Sequence, residues 1–185
     1  MEDTALTTPY DFRLELFSQY HDVRAFDCGV DSLNIFLQRY ALAAPRQGMS
    51  QSWALVDAQD KVLGYFTLSA CSVSHADATA RAAKGIGRYD IPAILVARLA
   101  VDRSMHDQGL GGILLEDALG KAAAIGRAIR PPDEPQSLPV RCVLVHALDS
   151  NAANFYRHYG FEPSPTDPLH LLMLIKDIPL SIRER

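Results

Sequence analysis

The chain lacks the features that mark secreted, membrane-spanning and metal-binding proteins. Its three cysteines are odd in number, widely spread and free of any CxxC pair, which disfavours disulfides and a zinc site. The six histidines show neither HExxH nor HxxxH spacing, so no metal is predicted. No stretch approaches the roughly 18 uninterrupted apolar residues of a membrane helix. The start, MEDTALTTPYDF, is acidic and polar, unlike a signal peptide, so we expect a cytoplasmic protein.

An excess of positive charge is also absent. The chain has 18 Lys and Arg against 22 Asp and Glu, a net charge of -4, which excludes a protein that is basic all over, such as a chromatin binder. Nucleic acid is not excluded, because the field over one face matters more than the sum. The 185 residues, 48% of them apolar and 22% charged, predict one globular domain that spans residues 1–185.

The hydrophobic pattern alternates between the periods of strands and helices. Strands are predicted at residues 11–19, 52–57, 61–73, 94–102, 140–148 and within 161–176. Helices are predicted after a turn in 26–44, with Asp31 as N-cap, and in 75–92, 109–126 and 149–160. The continuous apolar runs at 94–102 and 140–148 are typical of strands buried on both faces. This order predicts an α/β or α+β protein, a single sheet with helices on both faces.

Three glycines open the longest predicted helix, directly after a buried strand. Gly109, Gly111 and Gly112 let the backbone approach a ligand closely, and first-turn N–H groups have no partner inside a helix. Together with the helix dipole they form an anion site suited to a pyrophosphate. The run is not a Walker loop, because no GK[ST] follows, and it does not match GxGxxG. An ordinary tight turn is the alternative interpretation.

The run HDQGLG resembles the Q/R-x-x-G-x-G/A motif of the GNAT acetyltransferases. Both glycines are in place, while His106 stands where Gln or Arg is usual. The resemblance implies that the loop holds the pyrophosphate of acetyl-coenzyme A, the acetyl donor, without any metal. The residues so implied are His106, Asp107, Gln108, Gly109, Leu110, Gly111 and Gly112. His106 either titrates against the phosphate or is an ordinary exposed loop residue.

A second run, NAANFYRHYGF, matches the A-x-x-F-Y-x-x-x-G-F pattern of the same family. The resemblance implies that Tyr156 lies beside the sulfur of acetyl-coenzyme A and protonates the departing thiolate as a general acid. A packed aromatic is the alternative for Tyr156, and packing is the expected role of Tyr159. On the same helix, Asn151, Asn154 and Phe155 are assigned to the coenzyme site.

The family resemblance also implies a particular fold and cleft. The expected sheet is mixed and mostly antiparallel, with a V-shaped splay between the fourth and fifth strands and helices on both faces. Backbone groups of Leu99, Ala100 and Val101 would pair with the pantetheine arm, and an N–H there could steady the developing oxyanion. No strong protein base is predicted, because an α-amine has a pKa of roughly 7.7–8.0 and an ester link lowers it further.

Several longer segments narrow the resemblance to the GNAT toxins of bacterial type II toxin–antitoxin modules, from about His21 to Lys176. Those with the most specific match contain FDCG and FEPSPTDP; others are LGYFTLSACSVSH, IPAILVARLAVDRS and LVHALDS. Such enzymes acetylate the α-amine of aminoacyl-tRNA and so inhibit translation. The resemblance implies charged tRNA, a ribbon-helix-helix antitoxin and a second copy of the chain as partners, and no membrane.

A tRNA substrate requires a cationic surface. The predicted contributors are Arg46, Arg81, Lys84, Arg88 and Arg157, although each alone could be an ordinary solvated side chain. Two other functions stay open at this point. The enzyme could acetylate a protein N-terminus or a small amine, or the chain could be a non-catalytic acyl-coenzyme A binding module. His106 favours the binding module, whereas Tyr156 argues against it.

Overall fold

The computed structural model describes residues 12–128 and 140–183, which form a mixed sheet flanked by helices. The strands are β1 (Arg13–Leu16), β2 (Gln51–Val56), β3 (Val62–Val73), β4 (Ile91–Val101), β5 (Cys142–His146), β6 (Glu162–Pro163) and β7 (His170–Leu174). The helices are α1 (Asp31–Arg39), α2 (Ala80–Ala83), α3 (Leu110–Ala128), α4 (Ser150–His158) and α5 (Leu180–Arg183).

The sheet has the strand order β1-β2-β3-β4-β5-β7-β6. β1 runs antiparallel to β2, and β7 runs antiparallel to both β5 and β6. β4 and β5 are parallel, which requires a long crossover connection, and α3 supplies it. The predicted mixed α/β sheet is confirmed.

The pairing of β4 with β5 is short. Its register runs from Ala93 opposite Cys142 to Val96 opposite Val145. β4 continues from there to Val101, whereas β5 ends at His146. The C-terminal half of β4 thus has no partner on β5, and the V-shaped splay between the two strands stays a prediction.

The described chain divides into two compact units, the first of which comprises residues up to Phe66 together with Leu99–Leu114. On one face of β3, Tyr65 packs against Phe36 of α1 and donates a hydrogen bond of 2.9 Å to the carbonyl of Leu33. On the other face, Gly64 leaves room for Leu114 of α3: a Cβ at Gly64 would lie 2.8 Å from the Leu114 Cδ1 atom. Helices therefore cover both faces of this unit.

The second unit comprises Thr67–Arg98 and Leu115–Arg185. Ala82 of α2 packs in a core with residues of three strands, which are Ile91, Ala93, Cys142, Leu144, Leu172 and Leu174. α4 contacts β7 from the other face, where the Met173 Cε atom lies 3.6 Å from a Cβ built on Gly160. Here too the sheet is covered on both sides.

That the chain is one domain stays a prediction.

The C-terminal segment differs from its prediction. Residues 161–176 were predicted to contain one final strand, but the structure has two strands, β6 and β7, separated by a turn at residues 164–169. Pro165 and Pro168 lie in that turn, and a proline removes a ladder donor. Asp31, predicted as N-cap, is instead the first residue of α1, and Val30 holds the cap position without a side-chain hydrogen bond.

A buried carboxylate fixes the chain where β4 ends. Asp102, only 5% exposed, accepts a hydrogen bond from the amide of Asp27 (3.0 Å) on one oxygen. Its other oxygen accepts bonds from the amide (2.9 Å) and hydroxyl (2.6 Å) of Ser104. The amide of Arg103 donates back to the Asp27 carbonyl at 2.9 Å. The segment FDCG is thereby tied to the loop that follows β4.

A side chain at Gly29, the glycine of FDCG, would clash with Arg103. Gly29 has φ +87°, and a Cβ there would lie 2.8 Å from the Arg103 Nε atom. The Arg103 guanidinium pairs with the Asp27 carboxylate at 3.4 Å. The other Asp27 oxygen accepts bonds from the Gly29 amide (2.8 Å) and the Asn34 side chain (2.9 Å), and both bonds lower the pKa of Asp27. This segment is a turn held by hydrogen bonds among its own residues, and it packs against the loop that follows β4.

The Asp102 hydrogen bonds predict a loss of stability in Asp102→Asn. Burial raises the pKa of Asp102, but the hydrogen bonds from Ser104 and Asp27 outweigh it, so the pKa lies below its ordinary value. Both carboxylate oxygens accept hydrogen bonds, so the side-chain NH₂ group of an asparagine would face one of these donors and that bond would be lost. We therefore expect a loss of about 1–3 kcal/mol in the free energy of unfolding at pH 7. Because the folded pKa is lowered, the carboxylate's contribution is complete above about pH 4 and is lost as the pH falls through the folded value.

Urea unfolding at pH 7 and at stepwise lower pH measures both effects. The difference between wild type and Asp102→Asn should narrow in acid. Asp90→Asn, at an exposed position, is the control and should unfold like the wild type. A gap between wild type and Asp102→Asn that stays constant down to pH 2 would contradict the assignment.

Candidate active site

The predicted anion loop is a tight turn between β4 and α3. Asp107 (φ +61°) and Gly109 (φ +78°) both have left-handed backbone conformations. The Gly109 carbonyl accepts hydrogen bonds from the amides of Gly112 (3.1 Å) and Ile113 (3.3 Å), which makes Gly109 the cap of α3. The N–H groups of the first helical residues have no carbonyl of their own helix to bond, and they lie at the positive end of its dipole.

Gly109 satisfies the requirements for a close approach of a ligand. Its positive φ disfavours any other residue, and a Cβ built on it meets no atom within 4 Å. The loop therefore combines first-turn amides with an open side at its glycine. An extended anion such as the pyrophosphate of acetyl-coenzyme A fits this arrangement.

His106 holds the loop to the end of β4. Its Nε2 atom lies 2.9 Å from the carbonyl oxygen of Val101, and since a carbonyl only accepts, Nε2 is the donor. The Gln108 side chain makes a similar, longer bond of 3.4 Å to the Ser104 carbonyl. The Val101 carbonyl is thus already engaged, which leaves Leu99 and Ala100 as the neighbouring backbone groups on β4. The roles of all these residues toward the coenzyme stay predictions.

The helix that carries Tyr156 is fixed at both ends. The Asp149 carboxylate accepts a bond of 2.8 Å from the Ala152 amide and caps the N-terminus. At the other end, the Phe161 amide donates to the Tyr156 carbonyl (3.2 Å) and the Gly160 amide to the Arg157 carbonyl (2.9 Å). With Gly160 at φ +89°, these two bonds form a Schellman motif.

Tyr156 itself is buried, with 8% of its surface exposed. Its ring makes edge contacts with Phe155 (5.2 Å between centroids) and Phe161 (5.6 Å). The hydroxyl makes no hydrogen bond to any residue in 12–128 or 140–183. Burial raises the pKa of Tyr156 to about 12, so the hydroxyl keeps its proton at neutral pH and can donate it. Tyr159 instead contacts the rings of Phe155 and His158.

The remaining residues assigned to α4 lie on its surface. Asn151, Asn154 and Phe155 share one face of the helix, at spacings of three and four residues. The Asn154 side chain accepts a bond of 3.0 Å from Arg157, whose guanidinium also donates to the Pro168 carbonyl at 3.3 Å. Arg157 has no carboxylate partner in the described part of the chain, so its charge is uncompensated.

The other predicted cations differ in whether a carboxylate of the protein already neutralises their charge. Arg81 forms ion pairs with Glu162 and with Asp177 (2.7 Å), and these partners raise its pKa. Lys84 and Arg88 are exposed and pair with no carboxylate among the residues that the structure describes.

Lys84 and Arg88 belong to a loop that ends in an aromatic residue. Tyr89, next to Arg88, is 78% exposed. The Arg141 guanidinium fixes the start of the loop by donating 2.7 Å bonds to the carbonyls of Ala82 and Lys84. Two free cations and an exposed ring are typical of a surface for a nucleic acid backbone and an unstacked base.

Arg46 lies in the first unit, on the wall of a groove of about 710 Å³. The groove also contains Arg39, Leu42 and Tyr20, and Tyr20 is 80% exposed. No carboxylate lines it among the residues described. Its positive charge and exposed ring resemble those of the Lys84–Tyr89 loop.

One pair of side chains was missed in the sequence. His146, the last residue of β5, and His170, the first of β7, are cross-strand partners with ring centroids 4.0 Å apart and planes at 22°. The His170 Nε2 atom lies 3.5 Å from the Asp167 carboxylate. Burial, and then the neighbouring His170, lower the pKa of His146. The two histidines are 24 residues apart in sequence and become neighbours only through the antiparallel register.

Two other kinds of feature are absent from the described residues, a metal-binding cluster and a membrane-spanning helix. Residues 12–128 and 140–183 contain no cluster of His, Cys, Asp and Glu that could hold a metal ion. No helix in the same ranges is both long enough and apolar enough to span a membrane.

Comparison with known proteins agrees with this geometry. The sequence profile of the acetyltransferase (GNAT) domain matches residues 50–163. A tRNA-acetylating toxin of Mycobacterium tuberculosis (strain ATCC 25618 / H37Rv) is 44% identical over 161 residues, which are 86% of this chain and 90% of the relative.

Solved structures of a toxin named AtaT match over nearly the whole chain. AtaT complexed with acetyl-methionyl-tRNAfMet gives a TM-score of 0.80 at 27% identity, covering 91% of this chain and 97% of that one. A Tyr-to-Phe mutant of AtaT, bound to the C-terminus of the antitoxin AtaR and to acetyl-CoA, gives 0.73 at 26%, covering 92% and 97%. By domain profile and by close relatives, the chain belongs to the GNAT acetyltransferase family, in the branch of the tRNA-acetylating toxins.

Proposed function

We propose that this protein transfers an acetyl group from acetyl-coenzyme A to the α-amine of aminoacyl-tRNA and thereby inhibits translation as the toxin of a toxin–antitoxin pair. The observation that carries the chemistry is the buried Tyr156 hydroxyl, which stays protonated and has no hydrogen-bond partner in the described ranges. The choice of acceptor is supported by the relative named as a tRNA-acetylating toxin and by the AtaT complex with acetyl-methionyl-tRNA.

Acetyl-coenzyme A supplies an activated acetyl thioester when it is bound. The first-turn amides of α3, at Leu110 and Gly111, would hold its pyrophosphate, and the left-handed Gly109 keeps the backbone clear. Backbone groups of Leu99 and Ala100, on the part of β4 that β5 no longer pairs, would hold the pantetheine arm. His106 serves to keep the loop in this conformation through the Val101 carbonyl.

Tyr156 provides the proton for the departing sulfur. A thiol has an ordinary pKa of about 8.5, so the departing sulfur takes up a proton at neutral pH. The phenol of Tyr156 is protonated at every physiological pH, because burial raises its pKa to about 12. It can therefore act as the general acid while the amine attacks.

The tRNA surface is proposed to centre on the loop from Lys84 to Tyr89. Its two cations are free of carboxylates, whereas Arg81 is compensated by Glu162 and Asp177 and has a structural role. Arg46 and Arg157 are further contributors with uncompensated charge. Charged tRNA is found in the cytoplasm, where we propose that the protein acts.

A protein partner is part of the proposal. The AtaT structure that contains the C-terminus of its antitoxin AtaR supports an antitoxin tail as a partner of this chain. We propose that the antitoxin is of the ribbon-helix-helix type and that the toxin forms a homodimer.

Acetyl transfer from labelled acetyl-coenzyme A to total charged tRNA tests the function. Label should appear on charged tRNA and not on uncharged tRNA. Tyr156→Phe should retain coenzyme binding but lose about 10²–10⁴-fold in kcat, because it has no proton to donate. Tyr159→Phe is the matched control and should keep wild-type kcat. Label on a peptide N-terminus instead of tRNA would refute the acceptor, and an unchanged kcat in Tyr156→Phe would remove Tyr156 from the chemistry.

Gly109→Ala tests the coenzyme loop. Alanine at a left-handed position costs roughly 1–2 kcal/mol in stability, and its Cβ lies on the open side proposed for the ligand. We expect the Kd for acetyl-coenzyme A, measured by calorimetry, to rise at least tenfold. Gly48→Ala is a matched control, since Gly48 also has a positive φ (+68°) and no atom within 4 Å of its Cβ. Equal coenzyme affinity in the two variants would place the pyrophosphate elsewhere.

The double variant Lys84→Glu, Arg88→Glu tests the RNA surface. It should weaken the binding of charged tRNA and reduce the slope of log Kd against log salt by about 1–2, since two phosphate contacts are lost. Arg13→Glu, Arg24→Glu changes the net charge by the same amount at exposed cations that already have acidic partners. If both double variants lose affinity equally, only the overall charge matters and the loop is not the binding surface.

A further inference from the structure

The second unit contains a cavity that the coenzyme chemistry does not use, and we propose that it holds one unpaired nucleotide of the bound tRNA. This inference rests on the proposed function and deepens it, because it extends the RNA surface beyond the loop from Lys84 to Tyr89. The cavity has a volume of about 590 Å³ and is called the Arg183 cavity after one of its three lining cations, the others being Arg141 and Lys176. All its lining residues belong to the second unit.

The Arg183 cavity lies where three strands meet at one end of the sheet. Cys142, the first residue of β5, pairs with Ala93 of β4 on one side and with Leu174, the last residue of β7, on the other. The Arg141 amide donates a bond of 2.9 Å to the carbonyl of Pro92, and the Ile175 amide donates one of 3.0 Å to the Arg141 carbonyl. These two bonds fix the three chain segments that line the cavity.

The remaining lining residues make the walls apolar. They are Ile86, Pro92, Val140, Leu174 and Ile175. All of them except Leu174 are partly or fully exposed, so a ligand with a flat apolar face would remove apolar surface from water. The volume lies within the range of about 300–1,000 Å³ that is typical of sites for small organic groups. A nucleobase has such a face, which an inorganic anion lacks.

The three cations make the cavity positive. No carboxylate lines it in the part of the chain that the structure describes. The side chains of Lys176 and Arg183 make no hydrogen bond or ion pair with any described residue, and the Arg183 Nε atom is buried without an acceptor. Asp177, next to Lys176 in sequence, is already paired with Arg81 at 2.7 Å. A phosphate would therefore meet uncompensated charge beside the apolar walls.

The helix that carries Arg183 is held against the core of the same unit. Ile182, the residue before Arg183 in α5, is 9% exposed. A Cβ built on Gly120 of α3 would lie 3.0 Å from the Ile182 carbonyl oxygen, so α5 lies directly on the backbone of α3. The guanidinium of Arg183 thus belongs to a packed element, even though its own side chain has no described partner.

The Arg183 cavity is continuous with the loop from Lys84 to Tyr89. Ile86 belongs to both, and the Arg141 guanidinium, which lines the cavity, donates bonds of 2.7 Å to the carbonyls of Ala82 and Lys84. A single-stranded segment that the loop binds can therefore place its next nucleotide in the cavity. Proteins recognise RNA in this way, by taking unpaired bases out of the stack. An acidic polypeptide would match the charge but offers no base to cover the apolar walls.

Photo-crosslinking tests whether a nucleotide enters the cavity. Ile86→p-benzoylphenylalanine, irradiated in complex with charged tRNA, should join to one unpaired nucleotide, which a primer-extension stop locates. The same photoreactive residue at His75, an exposed position of the same unit, should give no crosslink at that nucleotide. A single-stranded oligoribonucleotide should compete for the Ile86 crosslink, whereas polyglutamate of equal total charge should not.

Two further variants separate the charge from the apolar walls. Lys176→Gln, Arg183→Gln should raise the Kd for charged tRNA about tenfold or more and reduce the slope of log Kd against log salt by about 1–2. Ile86→Ser should raise the Kd about threefold or more at an unchanged slope, because it removes apolar surface and no charge. Arg13→Gln, Arg24→Gln is the control at exposed cations that have acidic partners, and it should leave Kd and slope unchanged.

Three outcomes overturn the inference. They are crosslinks spread over paired regions of the tRNA, polyglutamate that competes as well as RNA, and an unchanged Kd in Lys176→Gln, Arg183→Gln. If any of them occurs while the wild type still acetylates charged tRNA, the proposed function stands and only the nucleotide site is lost. A wild type that acetylates no charged tRNA refutes the proposed function instead, so the two failures are distinct.

Discussion

The buried carboxylate of Asp102 fixes the end of β4 and the start of the glycine loop that follows it. A carboxylate with so little solvent must find its donors in the protein, and it takes them from both sides, Asp27 before it in sequence and Ser104 after it. Two further contacts hold the loop that follows: the ion pair of Arg103 with Asp27 and the hydrogen bond of His106 to the Val101 carbonyl. The FDCG segment, far from the glycine loop in sequence, is thus part of its support.

How much could be predicted depends on whether a feature is local. The left-handed Gly109, the Asp149 cap and the C′ glycine Gly160 are properties of a few adjacent residues, and the sequence shows them directly. The partners of Arg81 are 81 and 96 residues away along the chain, so its neutralisation could not be foreseen. The His146–His170 stack likewise depends on a strand register that the apolar pattern leaves open.

The close approach of α3 to β3 at Gly64 has a consequence for the coenzyme. A single added methyl would lie 2.8 Å from a Leu114 methyl and 3.1 Å from the Ala100 carbonyl oxygen, so the helix rests directly on the strand backbone. At Leu114, α3 thus has no room to move closer to β3. The absence of a side chain at Gly64 therefore sets how close α3, whose first-turn amides are proposed to hold the pyrophosphate, lies to the sheet.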